Sequence, residues 1–156
     1  MKKKGFLERR KFSRFDTELK VYFKVKYDIN TRVEFRVVET APDGDNNNKY
    51  LGVCRNVSVE GLCFDSVRKL NKGDILLLEV YEPIVRSSIE MEGQVRWSKM
   101  ISGGDDDKKI FRTGVLLMTV QGKPVADSIY FDKQYKVMWS AVLESLFGSF
   151  AAMKKK

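Results

Sequence analysis

Residues 89–98, IEMEGQVRWS, set Ile89, Met91, Gly93, Val95 and Trp97 in alternation with Glu90, Glu92, Gln94, Arg96 and Ser98. A period of two is the mark of a half-buried β-strand, because successive side chains leave the backbone on opposite faces. The same period runs through Leu19, Val21, Phe23, Val25 and Tyr27, with Lys20, Tyr22, Lys24, Lys26 and Asp28 between them, and more weakly through 33–39 (VEFRVVE). A further strand starts at Tyr50, Gly52 and Cys54, is broken by NVSVEG (56–61) and resumes at Leu62-Cys63-Phe64. ILLLEVYE, after NKGD (71–74), is apolar enough for a strand buried on both faces, and Ile110–Thr119 supplies the last one. The stretches APDGDNNNK (41–49) and SGGDDDKK (102–109) are turn text. Six or seven short strands punctuated in this way predict a closed antiparallel barrel or a sandwich.

Near Asp127 the pattern changes. Phe131, Tyr135, Met138, Val142 and Leu146 follow one another at spacings of four, three, four and four, which is one helical stripe, and Gly148 is a natural stop. The expectation is a β-barrel followed by one C-terminal helix in a single domain, a size that 156 residues accommodate with a real core. No apolar run approaches the roughly 20 residues that span a bilayer, and lysines and arginines stand where a secretory signal would carry its apolar stretch. The cytoplasm is the expected compartment.

Charge and composition narrow the function. The chain carries a net charge of +8, concentrated at its ends: residues 1–14 hold four lysines and three arginines against Glu8, and Lys154–Lys156 close the sequence. Polyanions are therefore the first class of partner to consider, whether phosphates, nucleic acid or an anionic membrane. There is no histidine, which removes His-based acid–base chemistry and His metal sites. Cys54 and Cys63 are too few for a structural zinc site, and although a disulfide between them is conceivable, a reducing compartment favours thiols. Asp105–Asp107 between glycines and lysines reads as a solvated turn and not as a metal site. An enzyme is the least favoured class, and no cofactor or metal is expected.

Two stretches carry possible chemistry. In ERRKFSR, Arg10 and Arg14 stand four apart, which puts them on one side of a strand or on neighbouring turns of a helix. Each guanidinium is a planar fork able to grip a phosphate or the O6 and N7 edge of guanine, and to stack on a base. On this stretch alone a solvated basic tail is the plainer reading. In NVSVEG, Asn56 and Ser58 can hydrogen-bond outward or cap their own backbone, and Gly61 permits a positive φ or the close approach of a ligand. Alone it is a common turn.

Taken together the two stretches resemble the paired signatures of the PilZ domain family: Arg-x-x-x-Arg at Arg10 and Arg14, then Asp/Asn-x-Ser-x-x-Gly at Asn56, Ser58 and Gly61. LGVCRNVSVEGLCF, KGDILLLEV, EGQVRWS and RTGVLLM resemble the surrounding barrel strands, so that the resemblance runs from about Glu8 to Leu146. It implies a six-stranded antiparallel barrel with a C-terminal helix and a receptor for cyclic di-GMP, with Arg10 and Arg14 as clamp and Asn56, Ser58 and Gly61 as floor. Asn56 stands where Asp is also common. In the family the position of Arg9 bears on whether one ligand or a stacked pair is bound, and arginine there implies the intercalated dimer. Trp97 either lies beside the ligand, as an aromatic does in some members, or belongs to the core on the face of Val95.

The implied organisation is a basic arm (1–14), a barrel with its helix (15–148) and a basic tail (149–156). About residues 28–49 form an insertion, expected as a hairpin with a surface tip. The implied partners are cyclic di-GMP and an unidentified downstream protein, with no specific nucleic acid and a monomer or weak homodimer as the assembly. The rival readings are a basic peripheral protein that binds nucleic acid or anionic lipid, and a PilZ-like protein–protein adaptor without ligand.

Overall fold

The computed structural model describes residues 25–38, 48–83, 87–103 and 109–148. Six antiparallel strands follow in chain order: β1 (Tyr27–Val38), β2 (Tyr50–Val57), β3 (Gly61–Ser66), β4 (Ile75–Tyr81), β5 (Ser88–Ser102) and β6 (Ile110–Val120). Neighbours run β3-β2-β1-β4-β5-β6, and β6 pairs back onto β3, so the sheet closes. This is the expected six-stranded barrel, and closure removes every unpaired strand edge.

Alternation explains which residues fill it. Ile29, Thr31, Val33 and Phe35 of β1, Cys54 and Val57 of β2, and Leu62 and Phe64 of β3 are buried. Across the barrel they meet Leu76, Leu78 and Val80 of β4, Ile89, Met91 and Val95 of β5, and Val115 and Leu117 of β6. The rings of Phe35 and Phe64 pack with centroids 4.8 Å apart. Two expectations change here. Residues 28–38 are not part of an inserted hairpin: they belong to β1, which pairs with both β2 and β4, and residues 39–47 and the expected strand before Lys24 lie outside the described residues. ILLLEVY is not buried on both faces either. Leu76, Leu78 and Val80 point inward, while Leu77 is 37% exposed on the outside, where no second layer of the described residues covers it.

The larger correction lies beyond β6. Gln121 and Gly122 both have positive φ, which suits a tight hairpin, and return the chain as the two-residue β7 (Lys123–Pro124). A 3-10 turn (Ala126–Ser128) follows, then a small hairpin of β8 (Tyr130–Asp132) and β9 (Val137–Trp139). Among the described residues beyond β6, α-helix is confined to Ala141–Phe147, α1. The stripe at Phe131, Tyr135 and Met138 is thus not a helix face: the Asp132 carboxylate accepts the Tyr135 N–H at 3.0 Å and Lys136 adopts φ 52°, which turns the chain back on itself. Ser140 caps α1, its hydroxyl accepting from the Val142 N–H, and Gly148, with φ 88°, ends it as expected. Val142, Leu143 and Leu146 join Trp139 and Val125 in the core, so this segment stoppers one end of the barrel.

The closing seam between β3 and β6 is tight because of Gly61. Gly61 lies opposite Leu116, and a methyl group there would stand against the Val115 carbonyl oxygen, closer than non-bonded atoms approach. Its φ is not among the positive ones, so the glycine serves close approach of two strands rather than an unusual backbone angle. Outside the same seam Asp65 accepts from Arg112 at 2.8 and 3.0 Å and from Arg55 at 3.0 Å, which ties β2, β3 and β6 together. Cys54 faces the core and Cys63 the outer surface, as their partners Phe64 and Gly114 show. On opposite faces of one sheet they cannot form a disulfide, and both are free.

Two outcomes follow from the seam. Gly61→Ala is expected to destabilise the fold by about 1–3 kcal/mol in urea unfolding, since the added methyl meets the β6 backbone at Val115 and Leu116, which cannot swing aside as a side chain can. Arg112, with Arg55 assisting and burial opposing, holds the Asp65 carboxyl below the usual carboxylate range. A folded-state pKa below the unfolded one gives stability that is full above the unfolded value and lost as pH falls through the folded one. Asp65→Asn should therefore lower the melting temperature at neutral pH and make the further loss below about pH 4 shallower than in the wild type.

Candidate functional site

The second sequence signature forms the hairpin between β2 and β3. The Ser58 N–H donates to the Gly61 carbonyl at 2.8 Å, and Val59 and Glu60 occupy the corners. The Ser58 hydroxyl is engaged in the turn itself: it accepts the Gly61 N–H at 3.2 Å and lies 3.3 Å from the Gly61 carbonyl oxygen. Side-chain oxygen thus does for this turn what a backbone carbonyl does in an ordinary one.

Three further anchors hold the hairpin against the rest of the fold. Val59 is buried beneath it, and the Val59 carbonyl accepts from the Ser140 hydroxyl at the start of α1. The Glu60 carbonyl accepts from the Leu117 N–H of β6 at 2.8 Å. Ser58 and Gly61 therefore carry the turn-forming duty that NVSVEG suggests when read alone, beside the ligand role that the family resemblance implies.

The outer face beside this hairpin is a groove of about 460 Å³, whose lining includes Lys26, Asn56, Ser58, Gly61, Cys63 and Arg96. Its floor is a cross-strand row, Asn56 of β2, Cys63 of β3, Gly114 of β6 and Trp97 of β5, each opposite the next. Asn56 is half-buried in that row and presents an amide that both donates and accepts. Burial pushes the Cys63 thiol up, with Asp65 adding to it, while Arg112, Lys26 and Lys99 act in the opposite direction. Cys54, inside the barrel, is pushed up by burial to about 12 and stays a neutral thiol.

Trp97 is not in the core. The register between β5 and β6 shifts between Val95 and Trp97, so Val95 keeps its place inside opposite Val115 while Trp97 stands outside opposite Gly114. The indole lies directly over Gly114, where a Cβ would collide with ring atoms Cε2, Nε1 and Cζ2. The ring is 40% exposed at the edge of the groove, and Lys99 Nζ stands 5.4 Å from its centroid. A bulge turns the strand without any special residue at the bulge itself, which is why alternation alone put Trp97 on the wrong face.

The structure thus brings Asn56, Ser58, Gly61 and Trp97 to one surface. Arg9, Arg10 and Arg14 lie outside the described residues, as do Lys11, Phe12 and Phe15. Two residues of the groove carried no sequence signal: Lys26, which reads as an ordinary outward lysine of a strand, and Arg96, the extra residue of the β5 bulge. The chemistry on offer is that of a binding surface, with amide, cations and an exposed aromatic ring. Among the described residues no group of acidic or cysteine side chains is arranged to hold a metal ion, and no helix is long and apolar enough to cross a membrane.

No curated protein sequence matches the chain. Among solved structures it is similar to the PilZ domain with c-di-GMP of YcgR from Escherichia coli, at 9% identity and a TM-score of 0.46, over 61% of this chain and 76% of that one. It is similar also to the Bacillus subtilis inhibitor of motility MotI, at 17% identity and a TM-score of 0.44, over 63% of this chain and 43% of that one. Likenesses at this level carry no argument about ligand or site, and the barrel rests on its own strand pairing. The sequence pattern described as the PilZ domain matches residues 8–119, which takes in both signatures and the six barrel strands short of the last residue of β6. With most of its length matched and the six strands closed as that family requires, the chain belongs to the PilZ domain family.

Proposed function

We propose that this protein is a receptor for cyclic di-GMP that carries no catalytic activity of its own and passes the binding event to a partner protein. The observation that carries this reading is the convergence of Asn56, Ser58 and Gly61 with the exposed Trp97 on one cationic outer face. A cyclic dinucleotide offers two phosphates and two flat guanines, and such a face answers both: cations and amide for the anion and the base edges, an indole for stacking.

In this reading residues 1–14 act as a basic arm, residues 15–148 as the domain and residues 149–156 as a basic tail. Arg10 and Arg14 close over the ligand from the arm, drawn by its charge, while Asn56 and the Ser58–Gly61 hairpin form the floor. The free energy of charge-assisted hydrogen bonds and stacking offsets the entropy lost in ordering the arm. The ordered arm then presents a new surface to the partner. Arg9 adds a third fork, which suits a second nucleotide stacked on the first. The protein works in the cytoplasm on this account, as a monomer or weak homodimer.

Isothermal titration with cyclic di-GMP tests this directly, and two nucleotides per chain are expected at saturation. One per chain would remove the role given to Arg9 and leave the receptor intact. Each hydrogen bond to a charged group contributes about 1.5–3 kcal/mol, so replacing both Arg10 and Arg14 by alanine should weaken binding by about 100-fold or more while the melting temperature holds. Retained affinity would sink the clamp. Binding of GTP or RNA as tight as that of cyclic di-GMP, with steep loss in salt, would favour instead the basic peripheral protein suggested by the charged ends. Trp97→Phe should abolish any ligand-induced change in emission, and an unchanged response would place Trp97 away from the ligand.

A further inference from the structure

The bulge in β5 gives the groove a cation that neither sequence signature contains. On a regular strand only one of two neighbouring residues faces outward. Here Val95 pairs with Val115 and Trp97 with Gly114, so Arg96 is left without an opposite number in β6. The result is that Arg96 and Trp97 are both exposed, side by side on the outer face. Bulges re-aim side chains in this way. Arg96 reaches the groove that Asn56, Ser58 and Gly61 also line.

The electrostatic setting is unusual for a surface arginine. Arg96 enters no salt bridge among the described residues, whereas Arg32, Arg55 and Arg112 each hold a carboxylate. The groove is lined by a second cation, Lys26, and by a single acid, Glu60. Two cations with one carboxylate leave the groove net positive, and like charges sharing a concave surface repel unless an anion lies between them. The guanidinium is a fixed fork that matches two phosphate oxygens, and the ammonium of lysine is a point charge that tolerates many positions.

We infer that Arg96 is a ligand-binding residue of the barrel wall: it grips a phosphate of the bound nucleotide, with Lys26 as the second charge, and Trp97 next to it stacks on the base. This rests on the reading of the groove as the cyclic di-GMP site and adds to it a grip that does not belong to the N-terminal arm. The bulge is then a functional device. It places a phosphate fork and a stacking ring on consecutive residues, pointing the same way, which an unbroken strand cannot do.

The test uses the full chain and cyclic di-GMP as titrant, with the melting temperature of each variant measured beside its affinity. Arg96→Ala should weaken binding by about tenfold or more, the worth of one charge-assisted contact. Lys133→Ala, an equal loss of charge in the exposed β8–β9 turn, should change it by less than about twofold. Arg96→Lys keeps the charge and loses the fork, and should bind severalfold more weakly than the wild type. If the wild type binds and Arg96→Ala binds as well, the inference is overturned and the receptor reading stands. An equal loss in Lys133→Ala would also overturn it, since the effect would then be one of overall charge. If Arg96→Ala melts early, Arg96→Lys decides: weaker binding with an unchanged melting temperature upholds the contact, and wild-type affinity removes it. Failure of the wild type to bind would overturn the receptor reading and this inference with it.

Discussion

The contact between β3 and β6 is the constraint on which the rest of the structure depends. Five antiparallel pairings in series make only a curled sheet, and the sixth, along Gly61–Ser66 and Phe111–Leu116, makes a barrel. Its geometry is set by the absence of side chains where the strands come closest: Gly61 lies against the Val115 carbonyl, and Gly114 lies under the Trp97 ring. Asp65 with Arg112 and Arg55 secures the outside of the same seam by charge-assisted hydrogen bonds. Closure also assembles the groove. The floor residues come from β2, β3, β6 and β5 in that order around the barrel, and the row is continuous only because β3 meets β6.

The segment beyond β6 matters to the site as well as to the core. Trp139 packs edge-on to Tyr27 with centroids 5.9 Å apart, and Phe147 meets the same tyrosine at 6.1 Å. Tyr27 is the first residue of β1 and follows Lys26 of the groove directly. Ser140, the cap of α1, donates to the carbonyl of Val59 at the tip of the signature hairpin. The stopper at the barrel's end therefore touches Tyr27 and Val59, the chain neighbours of groove residues Lys26, Ser58 and Glu60. Buried hydrogen bonds of this kind fix position more than they add stability, because a lost partner leaves a polar group stranded. The hairpin that carries Asn56, Ser58 and Gly61 is anchored in this way to α1 through Val59 and to β6 through Glu60.

The sequence made the strands legible because a closed barrel with one wet face imposes the same period of two on every strand. Ile29, Val33 and Phe35 of β1, and Ile89, Met91 and Val95 of β5, are buried in the phase that the alternation predicts. It misled where a period is short or interrupted. Phe131, Tyr135 and Met138 fit a helix stripe as well as they fit a hairpin, and the choice was made by Asp132, which caps a turn, and by the need of Trp139 to enter the barrel end. Residues 28–49 read as an insertion between the first strand and Asn56, yet Ile29, Thr31, Val33 and Phe35 keep the inward phase of one barrel strand.

What the sequence by itself determined was the barrel's strand content, the phase of the alternating runs in β1 and in β5 as far as Val95, and the membership carried by two spaced signatures, since all of these are local or are fixed by residue identity. Tertiary structure alone decided the faces and the duties. Trp97 and Arg96 share the outer surface because one residue slips in the pairing of β5 with β6, and register is a property of two strands that neither strand's text contains. Gly61 turned out to serve the closing seam for the same reason: the atom it makes room for, the Val115 carbonyl oxygen, lies more than fifty residues away along the chain and is brought there only by closure.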